Sequence, residues 1–135
     1  MNVLPDTSAW SMLLRRRPAA GSPEPREASV LRQAIESQER VFLLGVVCQE
    51  VLQGVRSEAQ RSDLTRRLAP FPMIQPERAT YERAAALWDR CARGGATVST
   101  VDVLIAQAAL DHDCALLTDD GDFMLIAQHA PLRLL

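Results

Sequence analysis

Residues 2–8 read Asn2-Val3-Leu4-Pro5-Asp6-Thr7-Ser8, a short apolar run that passes through a proline into polar residues. Apolar runs of this length are typical of buried strands, and Asp and Thr are favoured where helices begin. The stretch therefore predicts a buried strand over residues 2–4, followed by a helix over residues 7–15. Asp6 stands at the junction, directly after the strand.

The same alternation of strands and helices continues along the chain. Further strands are predicted over residues 41–44, 114–117 and 132–134, with an extended segment over residues 70–74. Helices are predicted over residues 26–38, 46–55, 58–68, 76–93, 100–111 and 120–127. Short apolar strands separated by helices favour a parallel sheet in an α/β fold. Along the 76–93 helix one face carries Tyr81, Ala84, Ala85, Trp88 and Cys91, a spacing typical of a packed face.

Length and composition favour a single domain over residues 1–135, with 47% hydrophobic residues to build its core. No run approaches the roughly 18–20 apolar residues of a membrane span, and Asp6 interrupts the apolar run that a signal peptide would need. Cys48, Cys91 and Cys114 are odd in number and widely spaced. They favour reduced thiols in a cytoplasmic protein over a disulfide framework or a zinc site.

The net charge is −2, and all 15 basic residues are arginine. Without lysine, the chain cannot form a P-loop or a Schiff base. Its dense basic segments are Arg15-Arg16-Arg17 and Arg66-Arg67. Each has two interpretations, because arginine binds phosphate well and also stabilises the end of a helix.

Four acids lie at strand ends or on apolar helix faces: Asp6, Glu50, Asp102 and Asp120. Asp6 and Asp120 follow predicted strands, and the carboxyl ends of parallel strands share the sheet edge where ligands bind. Glu50 and Asp102 interrupt otherwise apolar helix faces, where an acid is costly to bury without compensation. Several acids meeting at one edge would repel each other, and a divalent cation is their usual compensator. Metal-dependent chemistry is therefore the leading hypothesis.

Each acid has a structural alternative when it is considered alone. Asp6 can cap its helix, and the pair Asp119-Asp120 reads as an ordinary turn. A buried arginine could pair with Glu50 or Asp102, although no arginine lies three or four residues from Asp102. Two other polar features have structural interpretations: Asp111-His112-Asp113 is predicted to be a polar turn, and His129 a surface residue.

An ordered set of motifs resembles a known family. The chain contains Leu4-Pro5-Asp6-Thr7-Ser8-Ala9-Trp10, then Glu50 on a helix, then Asp102-Val103-Leu104-Ile105-Ala106-Gln107-Ala108-Ala109, and finally Leu116-Leu117-Thr118-Asp119-Asp120-Gly121-Asp122-Phe123. These motifs resemble those of a PIN domain, and the size of the chain resembles the VapC-type toxins of bacterial toxin–antitoxin pairs. The resemblance implies a three-layer α/β/α fold with a central parallel sheet. It also implies an Mg²⁺- or Mn²⁺-dependent endoribonuclease that forms a homodimer and is inhibited by a VapB-like antitoxin.

Matched position by position, the family's catalytic and metal-binding acids fall on Asp6, Glu50, Asp102 and Asp120. The resemblance adds Asp122 as a further metal ligand, whereas Asp119 stands at a position that the motif leaves variable. The small hydroxyl positions near the metal fall on Thr7, Ser8 and Thr118.

The donor chemistry agrees with this expectation, because clustered carboxylates without clustered His or Cys favour Mg²⁺ or Mn²⁺ over zinc. Such ions support in-line displacement at a phosphodiester, and single-stranded or looped RNA is the expected substrate. A phosphoacceptor receiver and a haloacid-dehalogenase-type phosphatase both need a lysine. The phosphatase also needs an aspartate where Ser8 stands. The remaining alternative is a catalytically silent PIN-like scaffold that binds RNA or a protein.

Overall fold

Strands and helices alternate along the computed structural model, which describes residues 1–14 and 20–135. The strands are β1 (Asn2–Pro5), β2 (Arg40–Val41), β3 (Leu43–Leu44), β4 (Met73–Ile74) and β5 (Ala115–Leu117). The helices are α1 (Thr7–Leu14), α2 (Arg26–Glu36), α3 (Gly45–Gln53), α4 (Glu58–Leu68), α5 (Arg78–Arg93), α6 (Thr100–Asp111) and α7 (Asp122–Ala127). The prediction made for Arg15-Arg16-Arg17 lies outside the described residues.

All strand pairings in the described residues are parallel. β1 lies between β2 and β5, and β3 pairs with β4. The register places Pro5 opposite Leu117, so β1 and β5 end side by side. This parallel sheet confirms the predicted α/β class. The strand predicted over residues 132–134 is reduced to one parallel bridge between Leu116 and Leu134.

The single strand predicted over residues 41–44 is two strands. The segment pairs with β1 through Val41 and with β4 through Leu43. Phe42 lies between them, and its N–H donates to the Val3 carbonyl over 2.9 Å. The Leu43 N–H instead donates to the Pro72 carbonyl, also over 2.9 Å. The segment therefore changes partner within one residue, a tertiary effect that local periodicity does not encode.

Two groups of helices cover the sheet and complete the three-layer α/β/α architecture. Helix α1 packs with α2 and α3, while α6 packs with α5 and α7. The core between them contains Leu4, Trp10, Leu116 and Phe123, each at most 1% exposed. None of the helices in the described part of the chain is long and apolar enough to cross a bilayer.

The face predicted to pack on α5 is only partly buried. Ala84 and Cys91 lie in the core, but Tyr81 is 53% and Trp88 46% exposed. The buried face instead includes Leu87. The Trp88 indole N–H donates to the Val98 carbonyl over 3.1 Å, so its polar group is bonded at the edge of the core. The predicted face is therefore wrong in part, because the buried face is rotated from it and consists of Thr80, Ala84, Leu87 and Cys91.

Candidate metal centre

The candidate site lies where β1 and β5 end. The Asp6 N–H donates to the Leu117 carbonyl over 2.9 Å and holds the two strand ends together. A cleft of about 400 Å³ opens at this edge. It is lined by Asp6, Thr7, Ser8, Ser11, Met12, Glu50, Asp102, Ile105, Asp119, Asp120 and Phe123. The strands β2 and β5 lie on opposite sides of β1, so the strand order reverses at β1. Ligand crevices in parallel sheets usually lie at the carboxyl ends of the strands at such a point.

Asp6 is buried, with 4% of its surface exposed. Its Oδ1 accepts from the Ser8 hydroxyl over 2.6 Å and from the Ala9 N–H over 3.0 Å, and its Oδ2 accepts from the Thr118 hydroxyl. Burial raises the pKa of Asp6, while these three hydrogen bonds oppose the rise. Asp6 also contacts the start of its helix, as the capping alternative requires, so capping and site membership coexist.

Three acids form a tight cluster at the mouth of the cleft. Oxygen atoms of Asp102, Asp120 and Asp122 all lie within 4.8 Å of one another. The Ser99 hydroxyl accepts from the Asp102 N–H over 3.0 Å and fixes the start of α6. Asp120 Oδ1 accepts from the Asp122 N–H over 2.9 Å, which folds the segment after β5 into a turn. Local capping and turn chemistry therefore fix Asp102 at the start of α6 and Asp120 and Asp122 after β5, and the packing of these elements brings the three carboxylates together.

The electrostatics of Asp102 reflect this crowding. Its pKa is raised first by burial and then by the negative charges of Asp120, Asp122 and Glu50, while the Ser99 side chain opposes the rise. The Glu50 charge acts on Asp102 across the cleft from α3. The acids of three separate segments therefore share one electrostatic environment.

Glu50 is half-buried on α3 and is tied to α1. The Thr7 hydroxyl donates to Glu50 Oε1 over 2.8 Å. Because Thr7 follows Asp6 directly, this bond fixes Glu50 beside the end of β1. Val47 and Val51 are fully buried and orient the same helix.

No arginine within residues 1–14 and 20–135 forms an ion pair with Asp6, Glu50, Asp102, Asp120 or Asp122. The alternative of a buried arginine partner for Glu50 or Asp102 is therefore wrong for the described residues. Crowded carboxylates without a protein cation fit a hard divalent ion, because Mg²⁺ and Mn²⁺ prefer oxygen ligands.

The acids after β5 divide into two groups. Asp120 and Asp122 belong to the cluster with Asp102, whereas Asp119 lines the cleft outside that cluster. The Asp119 N–H donates to the Ser8 hydroxyl over 3.4 Å. Its backbone therefore helps to position the residue that bonds Asp6.

The other polar motifs lie elsewhere. Asp111 accepts from Thr80, Arg83 and Gln107 at the far end of α6, and the Arg83 guanidinium lowers the pKa of Asp111 against the effect of burial. This arrangement agrees with its predicted structural role. His129 was predicted to be a surface residue, but it is half-buried, with its ring against Gly94.

Four lining residues were not singled out from the sequence: Ser11, Met12, Ile105 and Phe123. Helical spacing contains the signal for three of them. Ser11 and Met12 follow Ser8 by three and four positions, and Ile105 follows Asp102 by three, so they share helix faces with named site residues.

Comparison with known proteins places this geometry in a family. The PIN domain family matches residues 3–128, and the chain belongs to that family. Its relatives include ribonuclease VapC11 of Mycobacterium tuberculosis and a VapC ribonuclease of Mycobacterium bovis. Each is 30% identical over 133 residues, covering 97% of this chain and 96% of the relative. The resemblance drawn from the sequence motifs is thereby confirmed.

Solved structures share the fold at lower identity. VapBC2 of Rickettsia felis, bound to a DNA fragment from its promoter, matches with a TM-score of 0.79 at 16% identity, covering 100% of this chain and 98% of that one. A toxin–antitoxin complex of Klebsiella pneumoniae matches with a TM-score of 0.68 at 24% identity, covering 90% and 89%. These likenesses confirm the three-layer α/β/α fold.

Proposed function

We propose that this protein is an Mg²⁺- or Mn²⁺-dependent endoribonuclease that cuts single-stranded or looped RNA. The observation that carries the proposal is the cluster of Asp102, Asp120 and Asp122, whose oxygens lie within 4.8 Å of one another. The relatives that are 30% identical to this chain are named as ribonucleases, and the match covers nearly the whole length of both proteins.

Asp102, Asp120 and Asp122 would hold the ion, with Asp6 and Glu50 facing it across the cleft. When bound, a divalent ion supplies Lewis-acid stabilisation of phosphate oxygens and an activated water. The protein supplies the fixed geometry around it. Ser8 and Thr118 hold both oxygens of Asp6 in place, and Thr7 holds one oxygen of Glu50. This pre-organisation means that few side chains must reorient when RNA enters.

The proposed biological role is the toxin of a type II toxin–antitoxin pair in the cytoplasm, acting as a homodimer. A VapB-like antitoxin would block the site, and the solved structures of similar fold include toxin–antitoxin complexes. An antitoxin arginine inserted among the acids of the site, which form no ion pair within the described residues, would replace the charge of the metal with a bidentate guanidinium.

From the sequence alone, the apolar segments 9–14 and 46–55 are candidates for a groove that holds the amphipathic helix of an antitoxin. In the structure, Ala9, Trp10, Val47 and Val51 are buried in the core, so these segments mainly stabilise the fold. An apolar cleft of about 310 Å³ does lie beside α1. It is lined by Trp10, Leu13, Leu14, Arg32, Ile35, Glu36, Arg67 and Phe71. We propose this cleft as the receptor for an amphipathic helix of the antitoxin.

The direct test is cleavage of RNA by the purified chain. Wild-type protein is expected to cut single-stranded RNA with Mg²⁺ or Mn²⁺, to stop in EDTA, and to recover when metal is added back. Asp6→Asn protein is expected to bind RNA without cutting it. The scaffold alternative predicts binding without cleavage by the wild type as well, and that result would overturn the nuclease proposal.

A further inference from the structure

A second cleft, of about 520 Å³, lies along the same two helices, α1 and α3, as the acidic one. It is lined by Leu14, Gly54, Val55, Arg56, Gln60, Asp63, Leu64 and Arg67. The acidic cleft uses Met12 of α1 and Glu50 of α3, and the second cleft uses the residues at the ends of the same two helices. Gly54 follows Glu50 by four residues, about 6 Å along the helix axis. The second cleft therefore begins about one helical turn beyond Glu50 along α3.

The arginines at this cleft are not neutralised. Among the other described arginines, seven pair with carboxylates: Arg26, Arg32, Arg66, Arg78, Arg83, Arg93 and Arg133. In the described part of the chain, Arg56, Arg61 and Arg67 have no such partner. Arg61 and Arg67 donate to the backbone carbonyls of Val55 and Leu14, each over 3.3 Å.

The acid in the lining does not cancel this charge. Asp63 pairs with Arg66 over 3.1 Å, so its own charge is already compensated. The Gln60 side chain adds a neutral donor, and Leu64 closes the floor of the cleft from α4. The cleft therefore presents a positive surface beside a negative one.

We propose that this second cleft binds the sugar-phosphate backbone of the RNA next to the cut site. The inference rests on the proposed nuclease function and adds where the substrate is held. A cluster of carboxylates repels a polyanion, so substrate affinity must come from cations outside the cluster. Planar guanidinium groups suit phosphate, and their contacts are independent of the base sequence. Arg56 and Arg67 are the lining residues that make these contacts.

RNA fits this cleft better than a protein helix does. An amphipathic helix needs an apolar receptor, and the apolar cleft lies on the other side of Leu14 and Arg67, against Ile35 and Phe71. The second cleft is the one that follows Glu50 along α3, through Gly54 and Val55. Arg15-Arg16-Arg17 follow Leu14 in the sequence but lie outside the described residues and form no part of the proposal.

The test measures RNA binding in Asp102→Asn protein, which is expected not to cut the probe, a labelled single-stranded RNA oligonucleotide of mixed sequence. Arg56→Gln and Arg67→Gln are each expected to weaken binding about tenfold at low salt. The slope of log affinity against log salt is expected to fall by about 0.7 for each lost contact. Arg40→Gln and Arg90→Gln are matched controls, because these arginines also lack a carboxylate partner and border neither cleft. Both controls are expected to stay within about twofold of the parent.

Steady-state cleavage in the otherwise wild-type chain gives a second readout. Arg56→Gln is expected to raise KM while kcat changes little, because a contact away from the reacting atoms contributes equally to ground and transition states. Arg67→Gln also removes the bond to the Leu14 carbonyl, so its melting temperature is measured alongside. Within the described residues, Arg56 makes no hydrogen bond to a backbone carbonyl. The KM of Arg56→Gln therefore decides whether the cleft holds RNA.

The outcomes separate this inference from the nuclease proposal. If wild-type protein cuts RNA but both cleft variants bind like the controls, the inference is overturned and the nuclease stands. If wild-type protein binds RNA through Arg56 and Arg67 yet never cuts it, the inference stands and the nuclease proposal fails. Variants that keep their RNA affinity but no longer bind the antitoxin would assign the cleft to a protein and overturn the inference.

Discussion

Keeping Asp6 and Asp102 ionised in the folded chain costs free energy, and the hydrogen bonds of the site offset only part of that cost. Burial is the main cause of the raised pKa of each carboxyl, and the neighbouring acids raise that of Asp102 further. Hydrogen bonds from Ser8 and Thr118 offset part of this cost at Asp6. A bound cation would remove the remaining cost, because it stabilises the charged form of every carboxylate around it. Relief of this repulsion therefore favours cation binding.

The raised pKa values predict how stability depends on pH. As pH rises above about 3.9, the ordinary pKa of aspartate, the unfolded chain loses these protons before the folded chain does. The folded protein is then the form that binds more protons, so stability falls as pH rises until Asp6 and Asp102 are ionised. Urea unfolding in EDTA between pH 4 and 7 is expected to show a smaller fall in Asp102→Asn than in wild type. If the stability of both proteins fell equally with pH, the raised pKa of Asp102 would not be a cause of the fall.

Asp102→Asn is also expected to reduce metal-dependent RNA cleavage roughly 100-fold or more, about the loss caused by removing one electrostatic contact to a transition state. The amide keeps the size of the side chain and removes its charge, so the circular dichroism spectrum should not change. Asp113→Asn is the matched control. Asp113 pairs with Arg133 before β5, at the opposite end of the strand from the site. A wild-type rate in Asp102→Asn would exclude this residue from the metal site.

At the scale of elements, the end of α5 is held by a close contact. A methyl group at Gly94 would lie 2.2 Å from Cε1 of His129, well inside van der Waals contact. Gly94→Ala is therefore expected to lower the free energy of unfolding by about 1–3 kcal/mol, the usual cost of overpacking. The double variant with His129→Ala is expected to recover much of that loss in urea titrations, because the space is then free. An unchanged stability in Gly94→Ala would show that the ring moves away at little cost.

The sequence predicts most helices and strands but not how they are exposed or paired. Periodicity locates α5, yet it cannot show that Tyr81 and Trp88 remain exposed, because one amphipathic face can meet either the core or solvent. The change of partner at Phe42 depends on where β4 lies, and residues 73–74 show no strong strand pattern of their own. Apolar helix faces do mark Glu50 and Asp102 as unusual. Their convergence with Asp120 depends on β1 pairing with β5, which only the assembled sheet provides.

At the scale of the whole molecule, binding of the proposed metal would be coupled to folding. An ion that binds only the folded chain stabilises it by about 2.7 kcal/mol at 100 times its dissociation constant. Thermal melts with Mg²⁺ or Mn²⁺ are expected to shift upward from those in EDTA. The shift is expected to shrink in Asp6→Asn and Asp120→Asn, because each loses a charge at the site. Melts that do not move at metal concentrations supporting cleavage would contradict metal binding by these acids.

The toxin role makes a prediction in living cells. Expression of this chain alone is expected to arrest bacterial growth, and co-expression of its VapB-like antitoxin is expected to restore it. Asp6→Asn protein is expected to be harmless alone and still to co-purify with the partner, because the apolar cleft beside α1 is unchanged. Normal growth with active wild-type protein and no neighbouring gene would leave a PIN nuclease without a toxin role.

The pairing of β1 with β5 also has a consequence for the order in which the protein is made. β1 is translated before its neighbour β5, and the Thr118 hydroxyl that binds Asp6 comes 112 residues after that aspartate. A ribosome-bound chain that ends before residue 115 therefore lacks half of the sheet edge and two of the three clustered acids. Such a nascent chain has no assembled site while it is still attached to the ribosome. The proposed activity therefore becomes possible only after β5 has been made and has paired with β1.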